Sequence, residues 1–107
     1  MTLETLQIEL NHLLDNIEEE IQLTETKTTG ANIHDFMGVS AAMRQLKVAV
    51  QDGRFDKLNG TAEHYRWTIV LTKQQIMRLR LMRHGKSGNE AYKEAKEVFN
   101  PGPYPKE

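Results

Sequence analysis

The run from Thr61 to His84, TAEHYRWTIVLTKQQIMRLRLMRH, constrains the fold more than any other part of the chain. It holds the only Trp and much of the bulky apolar content. Placed on a helix, with successive residues about 100° apart, it shows two apolar stripes. Tyr65, Ile69, Ile76 and Leu79 share one side, and Trp67, Val70, Met77 and Leu81 lie nearly opposite. A surface helix carries one such stripe, so a helix with two is expected to be packed on both sides. Arg66, Lys73, Arg80 and His84 fill a seam between the stripes, where long basic side chains still reach water. The same residues admit a second reading. Tyr65, Trp67, Ile69 and Leu71 alternate, HYRWTIVLT is rich in β-branched and aromatic residues, and Asn59-Gly60 is a hairpin turn signal. On that reading a hairpin occupies about 54–71, and Thr72 with Gln75 opens a shorter helix.

The chain has 107 residues, which suits one domain with one core. A core of this size gives modest stability, so self-association is a natural supplement. There is no cysteine. That excludes disulfides, thiolate metal sites and cysteine nucleophiles, and it fits a cytoplasmic setting. No apolar run approaches the roughly 20 residues that cross a bilayer, and the acidic first segment lacks the basic start of a signal peptide. No membrane association is expected, and Asn59-Gly60-Thr61 reads as a turn, not a glycan site.

The remaining segments read as helices. Thr2 is a plausible N-cap for a first helix to about Leu23, with Leu3, Leu6, Leu10, Leu13 and Ile17 at alternating three- and four-residue spacing, widened by Leu14 and Ile21. Residues 24–32 form a loop, and Asn32 is a good N-cap for the next helix. There Ile33, Phe36, Val39, Met43, Leu46 and Val50 share an arc, and Gly38 suggests a close helix crossing. Ser87 with Glu90 forms a capping box for a last helix that Asn100-Pro101-Gly102-Pro103 stops. The expectation is therefore all-α: a small four-helix domain, with helices near 2–24, 32–51, 61–84 and 88–99 and the long third one central. The alternative is α+β with the hairpin at about 54–71. Residues 1–100 would form the single domain, and 101–107 an extended C-terminal tail with polyproline character.

Net charge is −1, but its layout is uneven. Residues 1–26 hold seven acidic groups and no Lys or Arg, whereas residues 64–88 hold six basic groups and no acid. Either the two segments lie together or one of them presents a surface of one sign. Glu18-Glu19-Glu20 stands towards the end of the first helix, where the macrodipole disfavours it, which suggests a basic neighbour.

Motifs that would commit the chain to a chemistry fail on inspection. Gly85-Lys86-Ser87 resembles the end of a phosphate-binding loop, but Arg80 stands where its first glycine should be. Glu9-x-x-His12 has the spacing of carboxylate-bridged di-metal bundles, yet there is one copy, on the face away from the leucines. His34-Asp35 has no nucleophile placed near it by spacing. Arg78 and His84 share a spacing seen in small helical ribonucleases, but Leu79 follows where a polar residue usually stands. No enzyme, metal or cofactor is expected.

The functional expectation is a non-enzymatic interaction or regulatory module (an adaptor, inhibitor or assembly subunit) that self-associates as a homodimer and docks on a protein partner. Its candidate partner-binding residues are Trp67, Val70, Met77 and Leu81, rimmed by Arg66 and Arg80, since Trp and Arg are frequent binding hot spots. The alternative is a nucleic-acid-associated protein that tracks phosphates with Arg66, Lys73, Arg80, Arg83 and Lys86.

Overall fold

The computed structural model describes residues 2–106 and is all-α, with no strand among the described residues. Six helices follow in order: α1 (Leu3–Asp15), α2 (Ile17–Glu25), α3 (Asn32–Gln51), α4 (Arg54–Asn59), α5 (Ala62–Arg83) and α6 (Gly88–Val98). The molecule is elongated, with extents of 41 × 26 × 19 Å. No helix is long and apolar enough to cross a membrane.

The expected first helix is two helices. Thr2 caps α1 by accepting from the Thr5 N–H at 3.2 Å. The backbone then leaves helical geometry at Asn16 (φ −97°, ψ 2°) and resumes in α2. The Asn16 side chain makes no capping hydrogen bond there; the backbone carries the turn, with the Glu20 N–H donating to the Asn16 carbonyl at 3.1 Å. The apolar stripe continues across the break: Leu6, Leu10, Leu14, Ile17 and Ile21 are all buried.

α5 is the long third helix of the sequence reading, and the hairpin alternative at 54–71 is overturned. That span is α4 followed by the first half of α5. Thr61 adopts extended geometry and caps α5 by accepting from the His64 N–H at 3.3 Å. A type I′ hairpin turn needs positive φ at both central residues. Gly60 instead has φ −81°, and glycine is needed there because a Cβ would collide with the Asp56 carbonyl oxygen. Thr72 is not a cap either. It lies mid-helix and fully buried, its hydroxyl donating to the Thr68 carbonyl at 2.7 Å.

α5 packs against α1, α2 and α3 on one side and α6 on another, as its two stripes require. Two apolar clusters lie along it. One gathers Ile17, Ile21, Phe36, Val39, Met43, Ile76, Leu79, Met82 and Ala91; the other gathers Leu6, Leu10, Leu14, Val50, Phe55, Tyr65 and Ile69. Leu13 and Leu46 touch both and join them. α6 approaches closely because it presents Ala91 and Ala95, both fully buried, and begins at Gly88, where a Cβ would meet the Asp35 side chain. Ser87 caps α6 as expected, accepting from the Glu90 N–H at 3.2 Å. Asn32 does not cap its own helix. Its Oδ1 accepts from the Gly88 N–H at 3.3 Å, so it serves the start of α6.

Candidate interaction surfaces

The basic seam of α5 meets the acidic segment. Glu20, on α2, is buried and accepts from Arg80 Nε at 3.0 Å, a second Arg80 nitrogen at 2.7 Å, and Arg83 at 2.8 Å. Burial opposes ionisation of this carboxyl, but the guanidiniums of Arg80 and Arg83 outweigh it and hold Glu20 below the usual carboxylate range. Lys73 pairs with Glu9 at 3.3 Å and Lys86 with Glu94 at 3.3 Å. Four of the five cations of the nucleic-acid alternative are thus matched by carboxylates of this chain. Arg66 has no such partner among the described residues. The acidic run at the end of the first helical segment was the readable sign of this network. Glu18 likewise receives Arg44 of α3, at 2.6 and 3.0 Å.

The expected partner-binding stripe is divided. Trp67, Val70, Met77 and Leu81 are each half-buried, while Arg66 and Arg80 are exposed. Leu81 packs against the first apolar cluster. Trp67 lies under the C-terminal tail: its Nε1–H donates to the Gly102 carbonyl at 3.0 Å, and the Tyr104 ring meets it edge-on at 4.9 Å. Arg78 anchors α6. Its Nε donates to the Gly88 carbonyl at 3.2 Å and its guanidinium lies over the Tyr92 ring at 5.2 Å. The fit of Arg78 to that backbone carbonyl had no signal in the residue spacing.

Between α1 and α5 runs an open groove of about 540 Å³ lined by Ile8, Glu9, His12, Leu13, Ile76 and Arg80. Glu9 and His12 do face water there, and no group of three His, Asp or Glu residues able to hold a metal occurs among the described residues. His34 is exposed and Asp35 stands 3.9 Å from Arg78.

A further apolar surface lies on residues that periodicity assigned to the core or left without a role. On the outer side of α3, Ile33, Met37 and Val48 are 44, 59 and 52% exposed. His34, Gly38, Ala41, Ala42 and Gln45 complete this face and are exposed too. Arg44, its side chain 50% exposed, stands between Ile33 and Met37 on this face and is paired with Glu18 at 2.6 Å. Gly38 serves no crossing within the chain, since an added Cβ would meet nothing. A groove of about 480 Å³ beside this face is lined by Ile33, Phe36, Met37 and Ala41 together with the charged Glu25 and Arg44. The signal was available: an arc of Phe36, Val39, Met43 and Val50 already fills the inner side, leaving Ile33, Met37, Ala41 and Val48 surplus. Compared with known proteins, the chain matches no family model, no curated protein and no solved structure.

Proposed function

We propose that this protein is a non-enzymatic interaction module that self-associates through the outer face of α3 and works in the cytoplasm, which its lack of cysteine suits. The observation that carries the reading is the exposed apolar face of Ile33, Met37, Ala41 and Val48 on a 20-residue helix, whose Arg44 is already paired with Glu18. Contiguous exposed apolar surface of this kind marks association sites. A second copy of the chain fits it because a two-fold contact is self-complementary, and the cation on the face, Arg44, is already paired with Glu18. In an antiparallel pair centred on Ala41, Met37 would oppose Gln45, Ile33 would oppose Ala49, and the small Ala41 and Ala42 would let the backbones approach.

The nucleic-acid alternative draws little support, because Lys73, Arg80, Arg83 and Lys86 already contact three carboxylates of the chain, Glu9, Glu20 and Glu94. The test is sedimentation velocity across protein concentration. The wild-type chain is expected to shift from monomer to dimer, and Met37→Glu with Val48→Glu to remain monomeric with unchanged helicity. A wild type that stays monomeric up to roughly 100 μM, or a double variant that still dimerises, rejects the reading; affinities weaker than that amount to less than about 5.5 kcal/mol.

A further inference from the structure

The tail does more than end the chain. It runs back along α5 from Phe99 towards Asn59, and each step is held. Gln74 Nε2, almost wholly buried, donates to the Phe99 carbonyl at 2.9 Å. Asn100 Oδ1 accepts from the Gly102 N–H at 3.0 Å and sets a bend in which Gly102 takes φ +72°, a left-handed value that glycine adopts without strain. The bend offers the Gly102 carbonyl to the Trp67 indole N–H. Beyond it, Tyr104 lays its ring against both Trp67 and His64, and its hydroxyl bonds to Asn59 Oδ1. Pro101, Pro103 and Pro105 line a groove with Glu63, Arg66, Trp67 and Val70.

This is the chemistry by which proline-rich peptides are recognised: an aromatic floor, an indole N–H donating to a peptide carbonyl, and a ligand whose prolines limit the entropy lost on docking. We propose that the α5 surface around Trp67 is a binding site for proline-rich peptides, which the chain's own tail covers in cis as a displaceable strap. The contacts are few and peripheral. Gly102 and Tyr104 are exposed, and the hydrogen bonds to Trp67 and Asn59 lie at the surface. A tethered segment acts at an effective concentration on the order of millimolar, so a free peptide with the same contacts competes only when the strap is weakened or the peptide binds better. No residue of the α3 face lines this groove, so the site stands apart from self-association.

Trp67 is the only Trp, which makes its emission a direct report on the groove. The experiment uses full-length chains: wild type, Gly102→Ala, and Gly102→Ala with Tyr104→Ala. None of these changes touches either apolar cluster. A synthetic peptide of residues 100–106 (Asn-Pro-Gly-Pro-Tyr-Pro-Lys) is the titrant. Both variants are expected to show red-shifted Trp67 emission at unchanged helicity. Peptide should restore the wild-type emission saturably in both variants, while the wild type, whose own tail already makes these contacts, keeps its emission unchanged. A control peptide with alanine for each proline should fail to do so. Unchanged emission in both variants, no restoration by the peptide, or equal response of wild type and variants would each overturn the proposal.

Discussion

Glu20 joins the two halves of the charge layout. Its carboxyl takes three hydrogen bonds from Arg80 and Arg83 across the α2–α5 contact. Because its folded pKa lies below the ordinary 4.5, its contribution is fully present above about pH 4.5 and is lost as pH falls through the folded value. Glu20→Gln should therefore lower stability by about 2 kcal/mol at neutral pH and flatten the loss below pH 4.5. Urea midpoints at pH 7 and pH 3.5 give both numbers. Tyr65 reports on the opposite end of the scale. It is buried against Phe55 with its hydroxyl donating to Asp56, and burial first, then the Asp56 carboxylate, push its pKa up to about 12. An unfolded tyrosine ionises near pH 10, so stability should fall as pH climbs from about 10 to 12. Tyr65→Phe should remove that slope and cost about 1 kcal/mol at neutral pH, read by thermal denaturation.

At the level of elements, α5 was legible because two apolar stripes on one helix leave few alternatives to double packing. Its rival failed on local chemistry that the letters do not distinguish. Thr61 can follow a turn or cap a helix, and Asn59-Gly60 can close a hairpin or a short helix; only the φ of Gly60 separates them. Gly60→Ala keeps an allowed backbone angle yet drives a Cβ into the Asp56 carbonyl, so a loss of about 1–3 kcal/mol is expected from overcrowding alone. Chemical denaturation of that variant checks it. The break at Asn16 was not legible, because the stripe Leu10, Leu14, Ile17, Ile21 runs through it undisturbed. The contacts of the tail were not legible for a different reason: Gly102 and Tyr104 act through distant partners, Trp67 and Asn59, that periodicity does not reveal.

Across the whole molecule, much of the acidic segment is matched internally, Glu9 by Lys73, Glu18 by Arg44 and Glu20 by Arg80 and Arg83, while an apolar face stays open. The two clusters along α5 use one side of α3 and leave the other without a partner inside the chain. In the sequence the arc on α3 and the stripe on α5 look alike; burial separates them, since Trp67, Val70, Met77 and Leu81 are half-buried and Ile33, Met37 and Val48 are exposed. The most direct measurement exploits the absence of cysteine. Ala41→Cys places a single thiol at the centre of the proposed two-fold contact, and Leu58→Cys, on exposed α4, serves as the control. Under mild oxidation at low micromolar protein, the Ala41 variant should form a covalent dimer at least ~10-fold faster than the control, as preassociation raises the local thiol concentration. Equal rates would mean that the α3 face does not pair and would contradict the account.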